Sequence, residues 1–550
     1  MKDFFKQNKS KIAIVFFLVF LAAGIFLRTY NFHDWLRFNT DQARDAVVVS
    51  DFLEGKTALP LLGPKAGGTD FKLGPIFYYF QIISAKIFGV SPDKIAYPDL
   101  LFSMLSIPLL FFLFRMYFNV YISAACTSLL SVSMFSVQYS RFAWNPNSIP
   151  FFVFLFLYAL LAMEKSKTKK KFFWAALAGV ALGVGVQLHT TLLISMPIVL
   201  LIFLEYIYKT TGKTMTKEFI AIFLFALVLN VPQIFGEFKN DGQNMLAFFK
   251  GALVKSETKM NAGEKIVENF LCQIQSNNYI ISAIGPSGDC GKTVISSELK
   301  RHKHFDKKLP IILETLLGIL FTIGGIALWA RCIKREKEKE KKDFLVLLGI
   351  YFSVMFLLLI PLAREISTRF YLTLEFIPFL LFGFWANTVL GWAKEKRRKF
   401  AIAALGLCFV LLVVSNAYKT SKMFGAFFSP ENIGNDGVDN DSESFITLGE
   451  AQFIADYITS HVGQSKTVYL DGKQTYLFKY VRPLRYFTKM KDIDLKAYSK
   501  KELPPEDALI MTIGNLESEG ELSKSMREKY SIEDSASYGR FSIAALERKR

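Results

Sequence analysis

Long apolar runs recur along this 550-residue chain and constrain its fold more than any other feature. A typical run has the roughly 17–25 residues that an α-helix needs to cross the hydrocarbon core of a bilayer. Apolar residues make up 52% of the chain, with 55 Phe, which exceeds the usual content of a soluble protein of this size. The runs cover residues 12–27, 76–90, 100–118, 121–137, 149–163, 172–188, 192–208, 219–235, 311–333, 344–362, 370–390 and 400–418. The sequence therefore predicts an all-α, multi-pass membrane protein.

Charges between the runs predict which side of the membrane each loop faces. Basic residues gather before the first run and in four connectors, at 165–171, 209–217, 334–342 and 394–399. Such loops stay in the cytoplasm, which also accounts for much of the net charge of +18 without a nucleic-acid partner. We therefore expect a cell-membrane protein with a cytoplasmic N-terminus.

The same charges limit the number of crossings. With the loop at 138–147 and the loop at 28–75 both outside, an even number of helices separates them, yet three apolar runs intervene. We expect the run at 76–90, which opens after Gly74 and Pro75, to lie along the membrane or to re-enter it. About eleven transmembrane helices (range of about 11–13) then remain by the length criterion.

Two domains follow from this composition. Residues 1–425 form the membrane domain, with a long outer loop at 236–308, and residues 430–550 have the composition of a soluble α/β domain. In the second domain a helix is expected at 446–460 and strands at 467–470, 508–513 and 540–545. By the parity of crossings this domain is extracytoplasmic. The acidic run at 435–441 is interpreted as a linker rather than as a calcium loop.

Two of the five Cys, Cys272 and Cys290, fall in the same outer loop. Disulfides persist outside the cytoplasm, and a bridge here would hold the loop over the outer cleft. Two free thiols remain the alternative, because sequence alone does not supply the Cα separation that a bridge requires.

A dense cluster of charge follows the first apolar run. Within the segment FNTDQARD (38–45), Asp41 and Asp45 are one helical turn apart, and Arg44 lies beside them. Ionisable groups close to hydrocarbon are costly and are usually retained for function. We interpret the loop at 28–75 as the catalytic loop of a membrane glycosyltransferase, on a short surface helix at 43–54.

The order of several motifs resembles a known group of enzymes. These motifs are the acidic loop, KLGPIFYY (72–79), YSRFAWNPN (139–147), QLHTT (187–191) and PQIFGE (232–237). Together they resemble the GT-C glycosyltransferases, and most closely glycosyltransferase family 39, which includes protein O-mannosyltransferases and lipid A aminoarabinose transferases. The resemblance covers residues 12–418, and its strength lies in the order and the shared side of the motifs.

The resemblance implies a multi-pass helical bundle that transfers sugar from a polyprenyl phosphate with inversion. Asp41 would be the general base, since the acceptor hydroxyl must lose a proton to a positioned carboxylate. The family often has Asp-Glu where this chain has Asp41 and Gln42, which leaves Asp45 as a substitute. A helix cap is the structural alternative for Asp41.

Further residues are candidates for donor and acceptor contacts. Cationic side chains near the membrane surface can stabilise the phosphate leaving group, whereas snorkelling at the interface is their structural alternative. The candidates for substrate or phosphate binding are Arg44, Lys72, Arg141, Asn145, Gln187, His189, Glu237, Arg369 and Tyr371. The sequence contains no metal-ligand spacing and establishes no cofactor, but Asp41 and Glu237 could share a divalent ion.

The predicted function is transfer of a sugar from a polyprenyl-phosphate donor to a glycan, lipid or protein acceptor at the outer face. A transporter or flippase of a lipid-linked sugar is the alternative, although transporters place their charges near the bilayer midplane and often contain repeats. A membrane-anchored binding protein would not need so many crossings. The sequence specifies neither the sugar nor the acceptor.

Overall fold

The computed structural model describes residues 2–253, 260–286, 288–301, 305–363, 366–427, 446–463, 466–472, 474–499, 504–505, 508–515 and 524–549. Most of this chain is helical. In the membrane domain the α-helices are α1 (Lys2–Thr29), α2 (Thr40–Leu53), α3 (Ile76–Phe88), α4 (Pro92–Ile95), α5 (Tyr97–Arg115), α6 (Val120–Val132), α7 (Met134–Tyr139), α8 (Ile149–Lys165), α9 (Thr168–Leu188), α10 (Thr190–Thr211), α11 (Thr216–Lys239), α12 (Gln243–Leu253), α13 (Ala262–Ser282), α14 (Lys292–Arg301), α15 (Phe305–Arg335), α16 (Lys339–Leu359), α17 (Ile377–Trp392) and α18 (Glu395–Ala426). Two 3-10 helices, Asn145–Ser148 and Thr368–Leu374, precede α8 and α17.

Within these described residues, nine helices are long and apolar enough to cross a membrane. They are α1, α5, α8, α9, α10, α11, α15, α16 and α18. A tenth span results if Thr368–Leu374 and α17, which meet at a 61° bend, are counted as one. By length and composition the described helices therefore give nine or ten candidate spans, against the predicted eleven.

The difference lies in the run at 121–137. The structure divides it into α6 and α7 at Ser133, whose backbone leaves the helical region at φ −57° and ψ 121°. Side chains satisfy the polar groups around the break: the Ser133 hydroxyl donates to the Ile280 carbonyl (2.6 Å), and the Met134 N–H donates to Asn416 Oδ1 (2.8 Å). A break with buried partners of this kind is tolerated at membrane depth.

The helix α3 is short, as the parity of crossings requires. It contains 13 residues, which gives a length of about 20 Å, against about 30 Å for the hydrocarbon core. The helix ends at Gly89, whose φ of 104° favours glycine. The length supports the interpretation that this helix does not cross the bilayer alone.

Small residues set the closest helix contacts. At Gly179 of α9 an added Cβ would lie 2.6 Å from the carbonyl oxygen of Ile222 in α11, and at Gly183 it would lie 2.8 Å from Ala226 Cα. Close approach of this kind is how membrane helices gain packing energy where hydrophobic driving force is weak. The glycines of α9 therefore have a packing role.

The C-terminal part is a small α/β unit. It consists of α19 (Leu448–His461), β1 (Thr467–Gly472), α20 (Gln474–Lys489), β2 (Asp494–Ala497), β3 (Leu509–Asn515), α21 (Lys524–Arg527), β4 (Tyr530–Tyr538) and β5 (Phe541–Arg548). The strand order is β2-β1-β3-β5-β4, with β1 parallel to both neighbours and β5 antiparallel to both of its own. The expected helix and three strands are present. The strand β4 was missed because its side chains are mostly exposed and polar. The acidic run at 435–441 lies outside the described residues.

This α/β unit packs directly against the segment that leads to α2. The Phe38 N–H donates to the Ile446 carbonyl (2.9 Å), and the Leu448 N–H donates to the Leu36 carbonyl (2.8 Å). The Phe38 ring also packs against the rings of Tyr486 and Phe487. The C-terminal unit therefore supports the start of α2.

A buried ion pair fixes the interior of the C-terminal unit. Glu450 and Arg540 are both 1% exposed, and Arg540 donates to both carboxylate oxygens through Nε (2.8 Å) and Nη2 (2.7 Å). Although burial opposes ionisation, the guanidinium keeps the pKa of Glu450 below its usual value.

We expect Glu450→Ala to lower the free energy of unfolding of this unit by about 3–5 kcal/mol, because Arg540 would remain buried without its partner. The full chain is heated in detergent, and unfolding of the C-terminal unit is detected by its susceptibility to proteolysis. Lys466→Ala, which removes the exposed pair with Asp492, is the control and should leave the stability nearly unchanged. Equal effects of the two substitutions would contradict the prediction.

Candidate active site

Helix α2 presents a carboxylate–guanidinium–carboxylate group at its N-terminal end. Arg44 Nη1 lies 2.9 Å from Asp41 Oδ1, and Arg44 Nη2 lies 2.8 Å from Asp45 Oδ1. The side chain of Asp41 is 51% exposed, whereas that of Asp45 is 1% exposed. The helical spacing thus places both acids on one guanidinium, as expected, but in opposite environments.

Burial raises the pKa of Asp45 to about 7, although Arg44 and the hydroxyl of Tyr78, which donates to Asp45 Oδ1 (3.1 Å), favour the ionised form. For Arg44, burial lowers the pKa, but the charges of Asp45 and Asp41 outweigh it and the net shift is upward. Asp45 is therefore buried against Arg44, and Asp41 is the half-exposed carboxylate of the pair.

Gln42 has a structural role. Its Oε1 accepts the Asn39 N–H (3.0 Å) at the start of α2, and its Nε2 donates to the carbonyl of Ala143 (2.9 Å). The amide thus joins the acidic helix to the loop that carries Trp144. A carboxylate could not donate to that carbonyl, which explains in this chain why an amide occupies the position.

Asp99, at the start of α5, was missed in the sequence. It is 1% exposed; its Oδ1 accepts the Ser148 hydroxyl (2.5 Å) and its Oδ2 accepts the Trp144 N–H (3.1 Å). A carboxylate that follows Tyr97 and Pro98 at the start of an apolar run was the available signal. Asp99 fixes the loop on which Trp144 lies.

The side chain of Arg141 packs against the C-terminal end of α1. Its guanidinium donates to the carbonyls of Leu27 (3.1 Å), Arg28 (2.9 Å) and Tyr30 (2.8 Å), and it is 3% exposed. Burial lowers its pKa to about 10, so it stays charged at neutral pH. Cations that hold the last carbonyls of a helix stabilise its end. These contacts favour a capping role, not a phosphate contact.

Asn145 and Gln187 also hold helix ends. Asn145 Nδ2 donates to the carbonyl of Leu188 (2.7 Å), the last residue of α9. Gln187 Oε1 accepts the N–H of Ile76 (3.1 Å), and its Nε2 donates to the carbonyls of Gly183 and Leu229. Both side chains are buried. They position the loops of the site and have few groups left for a substrate.

His189 is the N-cap residue of α10 and lies close enough to Arg369 to feel its charge. Its Nδ1 accepts the N–H of Thr191 (3.2 Å), and its ring packs edge-on against Phe370 at 5.6 Å between centroids. Burial and the charge of Arg369 lower its pKa to about 4, so the ring is neutral at physiological pH. In the described part of the chain its Nε2 has no protein partner, which leaves that atom for a sugar hydroxyl.

Arg369 is exposed on the 3-10 helix Thr368–Leu374. Its guanidinium carbon lies 5.9 Å from the ring centroid of Trp144. Tyr371, two residues further on, is fully buried, and its hydroxyl lies 3.5 Å from the carbonyl of Asn269, which favours a packing role. The structure therefore leaves Arg369 accessible beside Trp144, whereas Tyr371 is buried.

Of the two alternatives for Cys272 and Cys290, the structure has the disulfide, which supports the 3-10 helix of Arg369. Cys272 and Cys290 are bonded, with their Cα atoms 4.8 Å apart. Next to Cys290, the Gly288 carbonyl accepts the N–H of Thr368 (2.9 Å). The backbones of Asp289 and Ser367 form an isolated antiparallel β-bridge. On the chain-entropy model, a bridge of this separation is worth about 3 kcal/mol.

Glu237 is engaged by α12. Its Oε1 accepts Asn244 Nδ2 (2.5 Å), and its Oε2 accepts the N–H of Met245 (3.1 Å). Both oxygens are therefore occupied, which does not fit a metal site shared with Asp41. Across the described residues, no three His, Cys, Asp or Glu side chains gather in an arrangement that could hold a metal ion.

Known proteins are similar to part or to nearly all of this chain. Residues 72–235 match the family model described as dolichyl-phosphate-mannose-protein mannosyltransferase. Among curated protein sequences no match was found. The crystal structure of ArnT from Cupriavidus metallidurans in the apo state is 12% identical, with 96% of this chain and 97% of that chain covered and a TM-score of 0.53. The Archaeoglobus fulgidus oligosaccharyltransferase with Zn and sulfate is 13% identical, with 92% and 68% covered and a TM-score of 0.49.

By its fold, the chain is a multi-pass membrane protein. More particularly, its fold is similar to that of ArnT over nearly the whole length of both chains, and residues 72–235 match the mannosyltransferase family model. The predicted GT-C fold with a small C-terminal α/β unit is confirmed.

The environment of Asp45 gives a prediction that does not depend on the substrate. Its carboxyl should ionise near pH 7, seen as a carboxyl infrared band that disappears as pH rises and is absent from Asp45→Asn. Because the folded state binds this proton more tightly than the unfolded chain, stability should fall as pH rises from about 3.8 to about 7. Asp51→Asn, on the same helix, should keep the band; its loss there would contradict the assignment.

Proposed function

We propose that this protein is a membrane glycosyltransferase that moves a sugar from a polyprenyl-phosphate donor to an acceptor hydroxyl. The half-exposed carboxylate of Asp41, held by Arg44 against buried Asp45, is the observation that carries the proposal. The family match over residues 72–235 supports a polyprenyl-phosphate donor, and the GT-C fold supports a transferase.

In this mechanism Asp41 is the general base. Its carboxylate takes the proton of the acceptor hydroxyl as that oxygen forms a bond to the anomeric carbon. The bond from that carbon to the phosphate oxygen breaks in the same step, so the configuration inverts and the electron pair leaves with the polyprenyl phosphate. Arg44 fixes the orientation of Asp41 because its guanidinium is itself held by Asp45.

Lys72 and Arg369 would bind the phosphate. Among the residues that the structure describes, neither side chain has a carboxylate within ion-pair distance, whereas Arg44 is shared between two acids. A cation without a protein counter-ion, placed where negative charge grows, lowers the transition state more than the ground state. Trp144, whose ring lies beside the Arg369 guanidinium, would contact the sugar.

The distribution of charge supports an extracytoplasmic site. The basic connectors before α9 and α16 lie together, with Lys165 Nζ 2.5 Å from Glu340 Oε2. Helix α9 runs from that end to Gln187 and His189, and its 21 residues span about 30 Å. If the basic end is cytoplasmic, the candidate active site lies at the outer face.

Asp41→Asn should lower turnover about a hundredfold or more, because the acceptor would lose its proton acceptor. Donor affinity should change little, since Lys72 and Arg369 remain. Sugar transfer by the purified full chain, with binding of undecaprenyl phosphate measured separately, checks both expectations. Asp51→Asn is the matched control in the same helix; near-normal turnover of the Asp41 variant would move the role to Asp45 or end the proposal.

Reconstitution separates the transferase from a flippase. Vesicles that contain the protein and a labelled polyprenyl-phosphate sugar should release polyprenyl phosphate only when an acceptor is present. Movement of intact donor between leaflets, unaffected by Asp41→Asn, would identify a transporter.

A further inference from the structure

We infer that Asn244 is a positioning residue that sets the place of Lys72, and that α12 is the clamp that carries it. Asn244 is 4% exposed and lies 172 positions from Lys72 in the chain. Its Oδ1 accepts the Lys72 N–H at 2.6 Å, and its Nδ2 donates to the Lys72 carbonyl at 3.0 Å. One side chain thus pairs with both backbone groups of one residue, as a neighbouring strand would.

The orientation of the Asn244 amide is fixed by Glu237. Because a carboxylate accepts hydrogen bonds and does not donate them, Glu237 Oε1 selects the Nδ2 side of the amide, and the opposite oxygen must face Lys72. A tight turn brings the two residues together, with positive φ at Asp241 (50°) and Gly242 (71°). Glu237 therefore acts on Lys72 through Asn244.

The segment that contains Lys72 is a short hairpin that needs this support. The Leu73 N–H donates to the Pro64 carbonyl (3.0 Å), and the Ala66 N–H donates to the Phe71 carbonyl (2.8 Å). Near its tip, Lys65 and Asp70 form only an exposed pair, which is worth little. The hairpin would be free to shift if nothing held it from outside.

Helix α12 contacts the hairpin along one face. Residues 244, 248 and 251 follow the helical spacing of four and three. The Phe248 ring packs against Phe71 at 5.1 Å, and a Cβ added at Gly251 would lie 2.8 Å from Thr69 Cγ2. The clamp therefore combines a polar contact at Lys72 with apolar contacts at the tip.

The consequence concerns the donor phosphate, so this inference rests on the proposed role of Lys72. An ammonium group displaced by about 1 Å loses much of its effect on a reacting group. The hairpin leads directly into α3 through Gly74, whose added Cβ would meet the Gln187 side chain at 2.3 Å. Lys72 is thus fixed on one side by that packing and on the other by Asn244.

A double-mutant cycle on the full chain tests this coupling, with undecaprenyl phosphate as the probe. We expect Asn244→Ala to weaken binding about tenfold, and to change it less than about twofold when Lys72→Ala is already present. An equal loss in both backgrounds would overturn the inference, since Asn244 would then act independently of Lys72. Asn261→Ala, which removes another outer-loop asparagine bonded to a glutamate (Glu264), should leave binding unchanged.

A second measurement separates this inference from the proposed function. Hydrogen exchange at the Lys72 amide should accelerate in Asn244→Ala but not in Asn261→Ala; unchanged exchange overturns the clamp itself. If exchange accelerates but Lys72→Ala binds the probe normally, the phosphate role of Lys72 fails, and with it the functional consequence of the clamp.

Exchanging the hydrogen-bond donor and acceptor of the Asn244–Glu237 pair tests this contact. Asn244→Asp places two carboxylates together and should weaken binding, whereas adding Glu237→Gln supplies a donor and should restore part of it. No restoration in the double variant would contradict the orienting role of Glu237.

Discussion

Helix ends that must be satisfied away from water determine much of this structure. A helix leaves four N–H groups and four carbonyls without partners at its ends, and leaving one unpaired in a dry environment costs free energy. Arg141 takes the last carbonyls of α1, Asn145 takes that of α9, and Gln187 takes the first N–H of α3. The loops between these helices carry the candidate active site, so the side chains that end the helices also fix the site.

This constraint explains which site residues could be predicted. Asp41, Arg44 and Asp45 lie within one helical turn, and local spacing is enough to bring them together. Polar residues near membrane surfaces were predicted to contact substrate, but Arg141 and Asn145 have two possible reasons to be there, a substrate contact or a helix end. Only their distant partners decide between them. Asp99 and Asn244 were missed for the same reason, since each acts on a backbone far away in sequence.

The features of the fold also divide into those set by local sequence, which could be predicted, and those set by distant contacts, which could not. Long apolar runs predicted the nine long helices because length and hydrophobicity are local to each run, whereas the break at Ser133 depends on Asn416 and Ile280. In the C-terminal unit, the buried strands followed from their apolar residues, but the exposed strand β4 pairs through its backbone and leaves little trace in sequence. Cys272 and Cys290 could be paired by compartment, yet their separation came only from the packing of α13.

The cations assigned to the candidate active site differ in a way that suits phosphate release. A polyprenyl-phosphate sugar is a diester with one negative charge, and the departing polyprenyl phosphate is a monoester with a second pKa of about 6. Negative charge at the phosphate therefore increases along the reaction. Arg44 is already shared between Asp41 and Asp45, whereas Lys72 and Arg369 have no carboxylate partner among the described residues. Two uncompensated cations match the product better than the donor, so their attraction strengthens as the bond breaks. In the proposed reaction that difference, and not tight binding of the donor, is what lowers the barrier.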